Sequence, residues 1–312
     1  MSNLPRDHGG GLDAAVEHYG GLREQWLDLS TGINPVPYPI GTIQSDAWTA
    51  LPDRAAQDRI ILAARRFWDV PDEAETIAAA GASALIARAP HLFEGATVTI
   101  PTPTYNEHAA AFRAAAWAVQ DRDPSDVTVL VHPNNPDGRV WGAEDISGNT
   151  IIDESFCDVM PELSHVADSW RIDRVVLKSF GKFWGLAGLR LGFAIAHPAT
   201  IERLGDLMGP WAVSGPALEI GARALEDLAW ADETRARLCK DAARLDLLMA
   251  KAGAKLEGGT TLFRLYDVGD AAAWQDKLAQ GHVWSRIFPY SDRWLRLGLP
   301  APDRWDQLEA AL

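Results

Sequence analysis

Between residues 96 and 196, short apolar runs of strand character alternate with alanine-rich helical stretches, and this alternation limits the fold more than any other feature. ATVTI (96–100) and VTVLVH (127–132) flank NEHAAAFRAAAWAV, which reads as a helix starting near Asn106. NTIID (149–153), RVVLKSF (174–180) and LGFAIA (191–196) follow. Strands interleaved with helices in this way predict a doubly wound α/β layer around a mainly parallel sheet. Such sheets hold their ligands at the strand ends. From about residue 217 the pattern turns strongly helical, with one break expected near Trp230–Glu233. Strand-like TTLFRLYD (260–267) and RWLRLGLP (293–300) then enclose a helical stretch around 271–279. The reading is a large α/β domain over 36–205 and a smaller α+β domain assembled from 1–35 and 206–312.

Composition narrows the class. The 312 residues suit one large domain plus a smaller one, with 47% apolar and 23% charged residues. A net charge of −14 argues against a nucleic-acid or acidic-membrane partner, which needs a basic surface. A few buried arginines can still dominate a pocket for a small anionic ligand. Cys157 and Cys239 lack the spacing of a disulfide framework or a zinc site, so no metal is expected. The opening MSNLPRDHGGG has no apolar core of a signal peptide, and no apolar run approaches a membrane span. A cytoplasmic enzyme or binding protein is the expectation. The thirteen tryptophans fit core or interface filling equally well.

Four strand-end features could carry chemistry. Gly81-Ala82-Ser83 precedes an apolar helical run; a helix start can take an anion on backbone N–H groups, although the same tripeptide also serves as an ordinary cap. HPNNPDG (132–138) follows a strand and could be a plain turn. Asp153 closes the apolar run NTIID, where a desolvated carboxylate calls for a cationic partner. Finally, KSFGKFWGLAGLRLGF (178–193) sets Lys182 among Phe180, Phe183 and Trp184, with Gly181 and Gly185 on either side and Arg190 further on. A lysine in such company loses its proton more easily and becomes a nucleophilic amine. Lys178 lacks that company on its N-terminal side and is expected to face solvent or the layer below.

Taken in order, PTY, NNPDG, DES and SFGKFWGLAGLRLG resemble the pyridoxal-phosphate aminotransferase superfamily across essentially the whole chain. The resemblance implies a PLP-dependent transferase fold of type I, with pyridoxal 5'-phosphate as cofactor. It implies that Lys182 anchors the cofactor through its aldehyde and that Asp153 pairs with the protonated pyridine nitrogen. Asn135 would hydrogen-bond the ring hydroxyl, and Tyr105 would stack on the ring. Ser179, Arg190 and the Gly81, Ala82 and Ser83 backbone would hold the phosphate, with Arg296 gripping a substrate carboxylate. Many relatives carry a tyrosine three residues after the aspartate; Phe156 stands there and cannot donate.

The N-terminal DHGGGLDAAVEHYG and WLDLSTGINPVPYP resemble the threonine-phosphate decarboxylase branch, which serves the cobalamin aminopropanol linker. This implies His8 and Asn34 in the substrate pocket, Arg286 as a further phosphate ligand, and a homodimer. The tyrosine by which relatives reach the partner subunit is replaced by Leu51. The implied reaction is decarboxylation of L-threonine O-3-phosphate. The alternative is an aminotransferase on a phosphorylated amino substrate such as histidinol phosphate. A cofactor-binding regulator would normally add a DNA-binding domain, and no basic extension precedes His8.

Overall fold

The computed structural model describes residues 8–122 and 124–312. The first seven residues of the expected small domain, and with them most of the opening read as lacking a signal peptide, lie outside the described residues. The chain divides into two compact units. One comprises 37–135 and 139–232; the other comprises 1–36, 136–138 and 233–312.

In chain order, the first segment contributes α1 (Leu12–Tyr19) and β1 (Leu27–Asp28). The larger unit follows with α2 (Asp46–Thr49), α3 (Arg54–Phe67), β2 (Glu75–Ala79), α4 (Ala82–Ile86), β3 (Thr97–Thr99) and α5 (Asn106–Ala114). It continues through β4 (Ala118–Gln120), β5 (Val127–Val131), β6 (Asn149–Asp153), β7 (Arg174–Ser179), β8 (Gly192–Ala196), α6 (Pro198–Met208) and α7 (Gly215–Glu226). Then come α8 (Leu228–Lys251), β9 (Lys255–Thr260), β10 (Phe263–Asp267), α9 (Ala271–Gln280), β11 (Val283–Trp284), β12 (Arg286–Phe288), β13 (Ser291–Gly298) and α10 (Trp305–Ala311).

Seven strands of the larger unit form one sheet in the order β2-β8-β7-β6-β5-β3-β4. The pairs from β7 through β4 are parallel, while β8 runs antiparallel to both β7 and β2. Every residue of β5 and β8 is buried, because helices cover both faces of the sheet. Val98, Val129, Ile151, Val175 and Phe112 share one apolar core beneath the strand ends. The reading of an α/β fold around a mainly parallel sheet therefore holds.

Three local expectations need correction. The helix from Asn106 stops at Ala114, because Ala116 turns left-handed (φ 65°) and the remaining residues form the edge strand β4. The break in the late helical run falls at Asp227 rather than at Trp230–Glu233. Asp227 leaves helical geometry, and its carboxylate accepts from the Trp230 N–H at 3.0 Å to restart the helix. The unit boundary lies inside α8, later than residue 205. Helix α7 stays with the larger unit because its apolar face, including Leu218, Ile220 and Leu225, is buried where it packs on α3.

The smaller unit carries an antiparallel sheet, β12-β13-β10-β9, and a short parallel pair, β1 with β11. Leu12, Ala15, Trp26 and Ala279 make a small core beside that pair. Among the described residues, no helix is long and apolar enough to cross a membrane.

Candidate active site

A cleft of about 190 Å³ opens at the strand ends of the larger unit. Its walls include Ala82, Ser83, Tyr105, Asn135, Asp153, Ser179, Lys182 and Arg190, eight of the residues singled out from sequence. Each arrives by a short route: Asp153 ends β6, Ser179 ends β7, and Ala82 opens α4.

The floor is electrostatic. Asp153 is 2% exposed, and its Oδ2 lies 2.8 Å from His108 Nε2. Its Oδ1 accepts from the Ser155 N–H at 3.0 Å and from the Ser155 hydroxyl at 2.5 Å. Burial pushes this carboxyl upward, but His108 and the two Ser155 donors outweigh it and hold Asp153 below the usual carboxylate range. This end of the cleft therefore holds its carboxylate in the ionised form. His108 was not read from sequence. It lies one helical turn after Tyr105 on α5, and that i, i+3 spacing is the available signal. Tyr105 meets the His108 ring edge-on at 6.0 Å.

The two asparagines of NNPDG divide roles. Asn134 is buried, accepting from the Thr104 hydroxyl at 2.6 Å and donating to the Pro103 carbonyl at 3.0 Å. Asn135 lines the cleft instead. Lys182 presents its Nζ 5.1 Å from the centre of the Phe156 ring. Phe156 is buried in the wall, so the amine meets a ring face where a tyrosine would have offered a hydroxyl. Leu51 is 67% exposed.

The opposite end is built for an anion. Ser179 Oγ accepts from the Gly181 N–H at 3.2 Å, and Arg190 adopts a left-handed conformation (φ 54°) with its Nη1 donating to the Ala187 carbonyl at 3.0 Å. Gly81 is at φ 84°, and a Cβ there would sit 2.7 Å from Arg190 Nη2. A Cβ on Gly192 would lie 2.5 Å from the Ala82 backbone nitrogen, so β8 and the start of α4 touch only because that carbon is missing. Gly81→Ala is expected to cost about 1–3 kcal/mol through backbone strain. It should also push the guanidinium out of line and weaken anion binding at this end. Thermal unfolding with and without added pyridoxal phosphate separates the two effects. An unchanged cofactor-dependent rise in Tm would contradict the second.

His8, Asn34, Arg286 and Arg296 belong to the smaller unit. Arg286 donates to the His8 carbonyl. Arg296 is 5% exposed and donates to the Ser30 carbonyl at 2.7 Å, with its guanidinium 5.1 Å from the Phe263 ring centre. Asn34 Oδ1 accepts from Arg237 at 2.6 Å and from the Val36 N–H at 3.0 Å. Arg237 was not identified from sequence, and nothing in its helical surroundings signals it.

A planar, phosphorylated pyridine aldehyde fits the larger unit's cleft on these observations. A buried carboxylate lies at one end and an arginine, a serine and a glycine-lined helix start at the other. An aromatic ring and an amine line the space between.

The sequence profile of the family described as Aminotransferase class I and II matches residues 62–311. The chain belongs to this family. A threonine-phosphate decarboxylase from Sinorhizobium sp is 37% identical, over 96% of this chain and 95% of its own. A threonine-phosphate decarboxylase from Pseudomonas aeruginosa is 36% identical, over 98% and 97% respectively. The solved structure of histidinol-phosphate aminotransferase from Sinorhizobium meliloti, in complex with pyridoxal-5'-phosphate, superposes with a TM-score of 0.83. It is 19% identical, covering 99% of this chain and 94% of that one, and so supports the type I fold.

Proposed function

We propose that the chain is a pyridoxal-phosphate-dependent lyase that decarboxylates L-threonine O-3-phosphate to (R)-1-amino-2-propanol O-2-phosphate in cobalamin biosynthesis. The likeness to two threonine-phosphate decarboxylases over nearly the whole chain carries this reading. When bound, pyridoxal phosphate supplies an electron sink for the pair released as a bond at Cα breaks.

The chain's own residues do the rest. Asp153, kept ionised by His108 and Ser155, holds the proton on the pyridine nitrogen. Lys182 Nζ would hold the cofactor through its aldehyde and would be the group placed to return a proton to Cα once the carboxylate has left as carbon dioxide. Tyr105 supports the ring, Asn135 takes its hydroxyl, and Ser179, Arg190 and the Gly81–Ser83 backbone take its phosphate. Arg296 grips the substrate carboxylate, while Arg286, His8 and Asn34 take the substrate phosphate. Two grips on one substrate would fix the orientation of its Cα bonds, and that orientation would select the bond that breaks. A cytoplasmic homodimer completes the reading, on the strength of the resemblance alone; sedimentation of the purified chain tests the dimer.

The test is carbon dioxide release from threonine phosphate with no 2-oxo acid present, run beside histidinol phosphate. Stoichiometric carbon dioxide and aminopropanol phosphate are expected from the first and no turnover from the second. Turnover that requires 2-oxoglutarate and yields a ketone would establish the aminotransferase alternative instead.

A further inference from the structure

Directly behind the cleft lies a buried ionic cluster with no part in the chemistry above. Lys178, expected to face solvent or the layer below, is 1% exposed and lies in the layer below. Its Nζ is 2.5 Å from Glu154 Oε2 and 3.7 Å from Asp158 Oδ1. Glu154 also accepts from the Ser164 hydroxyl and the His165 N–H, each at 2.6 Å. Burial pushes Glu154 up, but Lys178 beside it brings it below the ordinary range. Burial likewise pulls Lys178 down, and the two carboxylates hold it above its ordinary range.

His132, Glu154 and Cys157 bring potential ligand atoms within 4.8 Å of one another, an arrangement that could suggest a metal. Their bonds point elsewhere. His132 Nδ1 accepts from the Trp141 N–H at 3.1 Å, its Nε2 donates to the Leu163 carbonyl at 2.8 Å, and the cation at Glu154 is the Lys178 ammonium.

Asp158 ties this cluster to the cleft. One oxygen accepts from Trp68 Nε1 at 2.9 Å and the other from Trp184 Nε1 at 3.1 Å. Trp184 is fully buried, two residues beyond Lys182, and stacked between Phe180 (5.0 Å, 10°) and Trp230 (5.3 Å, 13°). Both faces of the indole and its only donor are therefore held. Glu154 directly follows Asp153, and Lys178 directly precedes Ser179. The cluster thus grips the backbone next to the candidate cofactor ligands on β6, on β7 and on the turn after β7.

We propose that Asp158, acting through Trp184, is the positioning residue that fixes the Lys182 turn against the end of β6. Each indole N–H meets its own oxygen of Asp158, so an asparagine in the same place would turn its NH2 toward one of them. Two carboxylates around one buried ammonium add little net stability compared with apolar packing, but they tolerate few alternative geometries. The inference rests on reading Lys182 as the cofactor anchor.

The experiment measures, on cofactor-stripped protein, the dissociation constant of pyridoxal phosphate, the visible absorbance of the bound cofactor and the Tm. Asp158→Asn and Trp184→Phe are each expected to raise the dissociation constant about fivefold or more and to change the absorbance spectrum. The double variant should do no more than the larger single, since both act through one contact. Trp68→Phe removes the other indole donor from the same carboxylate. It should lower the Tm while leaving the dissociation constant within about twofold. Equal shifts from Trp68→Phe and Trp184→Phe, additive shifts in the double variant, or a lowered Tm with unchanged binding and spectrum would each overturn the proposal. Lys182→Ala is measured alongside: if it bound the cofactor with the parent's affinity and spectrum, the anchor assignment would be what failed.

Discussion

Lys182→Ala protein is expected to fold with a Tm close to that of the cofactor-stripped parent and to lose at least about 10³-fold in threonine-phosphate turnover, the scale on which removal of a proton-transferring group is felt. Two tasks fall on the same nitrogen: holding the cofactor and returning the proton to Cα. Pyridoxal phosphate should also wash out on dialysis, and the yellow colour of the parent should go with it. Lys182 is only partly buried and its Nζ lies over the Phe156 ring, so truncating it opens no large cavity in the core. Turnover within tenfold of the parent, measured as carbon dioxide release, would end the catalytic assignment.

Asp153→Asn is expected to lower turnover by about 10²–10³-fold, the usual cost of removing a preorganised electrostatic partner. An amide cannot hold a proton on the pyridine nitrogen by charge, although it keeps the shape. The same variant reads out a pH effect. Asp153 has a folded-state pKa below its unfolded value near 3.9. Its contribution to stability is therefore fully present above about pH 4 and is lost as pH falls through the lower folded value. Asp153→Asn should remove that part of the acid-side decline, and denaturant titrations between roughly pH 2 and 5 test it. An acid limb as steep as the parent's would show that the carboxylate's depressed pKa does not contribute to stability.

What could be read from sequence had local causes. Ser179, Lys182 and Arg190 lie within one strand-turn-strand segment, so their spacing alone brings them to one place. Asp153 at the end of an apolar strand, and the small residues before α4, follow from the same logic of strand ends. His108 escaped notice because its importance depends on α5 lying across the end of β6, a tertiary fact. The burial of Lys178 was half legible. The sequence left it facing either solvent or the layer below, and the carboxylates that receive it come from Glu154 and the turn that follows. Helix α7 was assigned by its place in the sequence, whereas its apolar face chose α3. The edge strand β4 was hidden inside a helical composition because one left-handed alanine, Ala116, redirects the chain.

The antiparallel turn-back of β8 on β7 bears on the order in which the cleft assembles as the chain folds. Ser179 pairs with Gly192, so the 180–191 segment carrying Lys182 and Arg190 is closed at its neck by one short-range ladder. Hairpins of this kind close in about 1–10 μs, whereas parallel pairs such as β5 with β6 await a long crossover. The anchoring amine and the anion-binding guanidinium are thus expected to come together early, with Asn135 and Asp153 joining later. Pulse-labelled amide exchange during refolding would show it as protection of the β7–β8 ladder ahead of the β5–β6 ladder.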